Sequence, residues 1–114
     1  MIGKAKFGYS YDESSLTFTG AGFTFYVFKQ YGIDLKSKLA SQQAQVGKAV
    51  SKSHLHKGDL VFFSTDNNGK NINQAGIYIG GNQYIALSTN GQVVKDSLST
   101  DWAVKNFVTA RQVL

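Results

Sequence analysis

Aromatic and aliphatic residues crowd the stretch GAGFTFYVFKQYG, residues 20–32. Phe23, Tyr26 and Val27 share one face at helical spacing, and Phe25 and Phe28 lie beside it. A helix apolar most of the way round belongs in the interior. Thr19 is its expected N-cap, because a hydroxyl there accepts from a free N–H of the first turn. Gly32 sits where a helix passes into left-handed backbone, so the helix is expected to reach about Tyr31. Ahead of it, residues 1–18 alternate polar and aromatic positions around a loop, DESS at 12–15. Behind it, a more polar helix is expected over Lys38 to Val46, with Leu39 and Val46 inward and Gly47 ending it.

The pattern then changes to that of strands. DLVFFS (59–64) has the β-branched and aromatic content of a buried strand. TDNNGKN (65–71) is turn-rich. QAGIYIG (74–80) and QYIALS (83–88) flank Gly81-Asn82, a two-residue hairpin signal. TNGQ (89–92) marks a turn before VVKD, DWAVKN (101–106) is a short helix or turn, and FVTARQVL alternates as a last strand. Helices first, then four or five antiparallel strands, make an α+β fold in one domain spanning residues 1–114.

The composition fits a packed interior rather than a disordered chain: 42% hydrophobic and 17% charged, with eight Phe, six Tyr and one Trp. With no cysteine, disulfides, thiolate metal sites and cysteine nucleophiles are excluded together. With no proline, turns rest on Gly, Asn, Asp and Ser. The formal charge of +5 comes from scattered lysines, which suits a solvated surface first and an anionic polymer second. No basic stripe, zinc-finger spacing or RNP-like motif points to nucleic acid. No apolar run is long enough for a membrane span, and MIGKAKFGYS lacks an apolar signal-peptide core. The chain is expected outside the cell or at its wall if it is a domain of an exported protein, and in the cytoplasm if Met1 is the true start.

His54 and His56 are the only histidines. Asp59 is close in sequence, but two imidazoles with no nearby helix partner and no cysteine suit an exposed loop better than a metal site. The glycine-rich stretches GAG, GGN and NGQ lack nucleotide-binding spacing, so no cofactor is expected.

Several blocks in order, FTGAGFTFYVFKQYGIDL, ASQQAQVGKAV, LHKGDLVFFST, QAGIYIGGNQYIALSTNG and FVTARQVL, resemble the NlpC family of papain-like cell-wall endopeptidases. The resemblance covers nearly the whole chain. It implies a papain-like core, with a buried N-terminal helix packed on a small antiparallel sheet. Members cut peptide bonds in peptidoglycan stems with a cysteine at the start of the central helix, in a Phe-Asp-Cys-Ser-Gly-Phe motif. A histidine opens a following strand, and a third polar residue on the next strand orients it. The helix N-terminus and the imidazole together lower the thiol pKa.

Carried across, that motif falls on Phe18, Thr19, Gly20, Ala21, Gly22 and Phe23. The nucleophile position becomes Gly20, the base position Gln74 and the orienting position Ala86. None of the three can do the family's work: glycine has no side chain, glutamine takes no proton near neutral pH, and alanine orients nothing. The family's substrate-gripping acid and serine become Thr19 and Ala21, and its N-terminal Pro-Tyr becomes Lys6-Phe7. Its two following glycines become Ser10-Tyr11.

The resemblance therefore implies a pseudoenzyme, a binding or structural module for cell-wall peptide, glycan or a protein partner. An alternative is a subunit of a phage, spore or secretion assembly. Another is a peptidase using a non-standard site, for which Thr19 is the available hydroxyl. Candidate ligand contacts are Thr19, Ala21, Tyr9, Tyr11, Gln74, Tyr78, Tyr84 and Ser88. The tyrosines either bind a peptide or sugar, or fill space left by lost side chains, and packing slightly favours filling.

Overall fold

A computed structural model describes residues 6–8, 11–64, 72–88 and 92–113. The aromatic helix, α1, spans Gly20–Gln30. Thr19 caps it as expected, accepting from Gly22 N at 3.0 Å. At the other end Tyr31 is the C-cap, and Gly32 follows at φ 77°, a left-handed backbone that glycine enters without strain.

Six strands form one antiparallel sheet: β3 (Lys48–Val50), β4 (Leu60–Phe63), β5 (Gln74–Gly80), β6 (Gln83–Leu87), β7 (Val93–Ser97) and β8 (Phe107–Gln112). Their spatial order is β3-β8-β4-β5-β6-β7. Ahead of α1, β1 (Lys6–Phe7) and β2 (Thr17–Phe18) form a small parallel ladder. The α+β expectation holds, but the main sheet has one strand more than the four or five predicted. The addition is β3, whose three residues carry little strand pattern of their own. Pairing with β8, Lys48 to Gln112 and Val50 to Ala110, makes it a strand. The predicted loop 65–71 and most of the predicted turn 89–92 lie outside the described residues.

Every residue of β4 is buried because the sheet is covered on both faces. Leu60 and Phe62 pack with Ala75, Ile77 and the α1 residues Ala21 and Phe28. Val61 and Phe63 face the other way, into a cluster with Tyr84, Leu98, Ala103 and Ala110. Ala103 belongs to α3 (Asp101–Asn106), whose N-cap Thr100 accepts from Ala103 N. Between β5 and β6, Gly81 and Asn82 both take φ 62°, the left-handed pair that the hairpin signal required.

The second helix, α2, is one turn, Ala40–Gln43, not the longer element expected over residues 38–46. Leu39 does not point inward: it is 58% exposed, while Ala40, Gln43 and Ala44 are buried. Hydrogen bonding sets this register. Gln43 Nε2 donates to the Ala21 and Ser37 carbonyls at 2.8 and 2.7 Å. The Thr24 hydroxyl donates to the Ala21 carbonyl at 2.9 Å or to Gln43 Oε1 at 2.7 Å. Gln43 thus fastens α2 to the first turn of α1 with its polar atoms satisfied in a dry setting.

Replacing Gln43 by Leu keeps the bulk and strands these partners. A loss of about 2–4 kcal/mol in urea unfolding is expected, and a loss under ~0.5 kcal/mol contradicts the fastening role. Gly47 and Gly32 supply a paired comparison. Both have positive φ, but a Cβ at Gly47 would collide with the Gln112 carbonyl oxygen, whereas one at Gly32 meets nothing within 4 Å. Gly32→Ala should cost about 1 kcal/mol and Gly47→Ala at least about 1 kcal/mol more; equal costs in the same unfolding measurement contradict the packing.

Candidate functional site

The first turn of α1 lies against the open ends of two strands. Gly20 is buried, and a Cβ built on it would stand 3.0 Å from Gln74 Oε1, 3.8 Å from the Leu87 carbonyl oxygen and 3.9 Å from Ala75 N. Gln74 begins β5 and Leu87 ends β6, so the helix start, the strand start and the strand end converge at one place. The small side chains of Gly20, Ala21 and Gly22 let the backbones approach so closely.

Beside this junction is an opening of about 260 Å³. Gln74, Tyr84, Ala86, Ser88, Asp96 and Trp102 are among the residues lining it. Cross-strand register explains the grouping, since Tyr84 pairs with Asp96 and Ala86 with Val94. Residues directly opposite point to the same face. The Tyr84 ring lies against the bare Cα of Gly76, where a Cβ would come within 2.9 Å of Tyr84 Cδ2 and of the Ile85 carbonyl. Phe63 forms the floor, its ring centroid 5.0 Å from those of both Tyr84 and Trp102. Trp102, on α3, remains 43% exposed.

Of the residues singled out from sequence, Gly20 and Gln74 stand directly opposed. Ala86, Tyr84 and Ser88 join Gln74 around the opening. Three others are placed elsewhere. Ala21 is 5% exposed in the core, and its carbonyl is taken by Gln43 and Thr24. Tyr78 stands toward the far end of β5, where its hydroxyl accepts from Asn82 N at 2.9 Å and braces the hairpin. Tyr11 is wedged between the rings of Phe18 and Phe25, with Lys38 Nζ 4.2 Å from its centroid and Glu13 accepting from its hydroxyl at 2.6 Å. Burial, then Glu13, pushes the Tyr11 phenol well above its ordinary pKa. Thr19 is committed to its cap, and Tyr9 lies outside the described residues.

His54 and His56 are exposed. Among the described residues no group of three His, Cys, Asp or Glu side chains could hold a metal ion.

Sequence reading missed Asp96 and Trp102. VVKD is legible as a strand, and its alternation puts Val94 and Asp96 on one face. Only the register with β6 shows that this face meets Tyr84. The one signal for Trp102 was its being the sole tryptophan, on a short helix next to an acid.

Two of the polar groups around the opening, the Tyr84 phenol and the Gln74 amide, take no part in proton transfer near neutral pH. Burial, and after it the Asp96 charge, pushes the Tyr84 phenol up to about 12, so it stays protonated near neutral pH. Gln74 offers an amide oxygen and two N–H donors but no base. Among the described residues, neither the Gln74 amide nor the Tyr84 hydroxyl has a hydrogen-bond partner, and Asp96 makes no ion pair. Among the described residues the Asp96 carboxylate accepts only from the neighbouring Ser97 N, at 2.8 Å. Polar groups left open on a partly aromatic concavity are the usual makings of a ligand site.

Comparison with known proteins agrees with this architecture. The murein DD-endopeptidase MepS/murein LD-carboxypeptidase of Escherichia coli K12 is 38% identical over 95 residues, covering 82% of this chain and 48% of that protein. The chain thus spans about half the length of that curated relative. The crystal structure of an NlpC/P60 family protein from Bacillus cereus superposes with a TM-score of 0.80 at 31% identity, over 88% of this chain and 33% of that one. RipD of Mycobacterium tuberculosis, a non-catalytic NlpC/p60 domain protein adapted to peptidoglycan binding, shares the fold at a TM-score of 0.66 and 23% identity. That match covers 85% of this chain and 67% of the RipD chain in that structure. The NlpC/P60 family model itself matches residues 6–112. The chain belongs to the NlpC/P60 family.

Proposed function

We propose that this chain is a non-catalytic NlpC/P60 domain that binds cell-wall peptide or glycan in the opening beside Gly20. The observation that carries the reading is the direct opposition of Gly20 and Gln74. The helix start, where a thiolate would gain most from the dipole, presents bare backbone to an uncharged amide. Hydrolysis of an amide needs a nucleophile and a proton acceptor acting together, and losing one member of such a set removes most of the rate. Here neither position supplies one.

Thr19 does not replace them. Its hydroxyl is engaged with Gly22 N, and Gln74 cannot take its proton. Charge supports the wall as ligand, since a chain of formal charge +5 is drawn to an anionic polymer. RipD offers a precedent in the same fold for peptidoglycan binding without catalysis. A protein partner in a larger assembly is the second reading, and it shares the same opening.

Two measurements on purified insoluble peptidoglycan separate these readings. Incubation with the protein should release no new amino termini above a protein-free control; release above it contradicts the non-catalytic reading. Co-sedimentation should retain the protein at low salt and progressively less as added salt screens the attraction. Absence of retention even at the lowest salt contradicts wall binding and favours a protein partner.

A further inference from the structure

We propose that the opening selects a ligand bearing a protonated amine, held between the Asp96 carboxylate and the Trp102 indole. This rests on the reading above only in taking the opening as a ligand site; it adds the chemical class. Asp96 reaches the opening from β7, opposite Tyr84, and makes no ion pair among the described residues. Its field is felt within the site, because it helps hold the Tyr84 proton. Neither lysine nor arginine is among the residues lining the opening.

Three rings form the wall beside that carboxylate. Phe63 packs against both Tyr84 and Trp102, so the indole stands on a fixed aromatic floor while 43% of Trp102 remains open. An ammonium gains both from a carboxylate and from the face of an indole. A neutral or anionic end would gain from neither.

Hydrogen-bonding capacity completes the match. Tyr84 is only 4% exposed, yet its hydroxyl has no partner among the described residues, and the Gln74 amide is similarly open. An amine carried on a short amide-containing backbone would give the hydroxyl an acceptor and the amide both a donor and an acceptor. The volume of about 260 Å³ suits one amino-acid-sized group rather than an extended chain. The formal charge of the whole chain is +5, which repels cations at long range. A preference for an amine must therefore originate locally.

Trp102 is the only tryptophan, so its fluorescence reports on this opening alone. The intact chain is titrated near neutral pH with L-lysinamide and with its Nα,Nε-diacetyl derivative. L-lysinamide should give a saturable change in emission, and the diacetyl probe should bind at least tenfold more weakly. Asp96→Asn should weaken L-lysinamide at least tenfold and so abolish its advantage over the diacetyl probe, whereas Asp96→Glu should keep the preference for the free amine. Asp96 is exposed, so these variants should retain the wild-type near-ultraviolet circular dichroism. Equal binding of the two probes, an unaltered Asp96→Asn variant, or no saturable response to L-lysinamide overturns the proposal. Release of amino termini from peptidoglycan would sink the non-catalytic reading but leave this preference standing, so the two failures are separable.

Discussion

Gly20 is buried where the first turn of α1 meets the start of β5 and the end of β6, and a Cβ there would stand 3.0 Å from Gln74 Oε1. That seating fixes the rest of the site. It needs a helix start with almost no side chain, a cap that satisfies the first turn from behind, and an anchor that keeps the turn from sliding. Thr19 supplies the cap. Gln43 supplies the anchor, bonding the Ala21 carbonyl of that same turn from the buried side. With the turn held from two directions, the ends of β5 and β6 are held too. The opening between them and α3 keeps its shape without hydrogen bonds among the Gln74, Tyr84 and Asp96 side chains.

Much of this was legible along the chain because the determinants are local. The 3.6-residue periodicity of Phe23, Tyr26 and Val27, the Thr19 cap and Gly32 define α1. The unbroken LVFF run predicts a strand buried on both faces, and Gly81-Asn82 fixes the hairpin. What escaped depends on distant partners. β3 is a strand because residues 110–112 lie beside it. Leu39 is outside because Gln43, which reads as a surface residue, is worth more inside once Ser37, Ala21 and Thr24 meet it. Polarity misleads at such positions, since a satisfied amide in a dry core costs little.

The site divides in the same way. Gly20 and Gln74 were found through resemblance, and their meeting in space follows from the helix and strand ends. Tyr78 lies on the predicted strand, but its hydroxyl serves the hairpin turn. Ala21, a grip position by resemblance, serves the core instead. Asp96 and Trp102 became visible only through the register of β7 with β6 and the seating of α3. They give the opening a local negative and aromatic character within a chain of net positive charge. A polymer that is anionic overall and presents amines locally would satisfy both scales at once, the first by long-range attraction and the second by contact.

The central proposal is that this opening holds its ligand and leaves every bond intact. The direct measurement keeps the protein in molar excess over a soluble, mass-defined muropeptide, isolates the complex and weighs the peptide recovered from it. A single species of unchanged mass, bound to the protein, is the predicted result. Fragments whose masses add up to the starting peptide plus one water would contradict it.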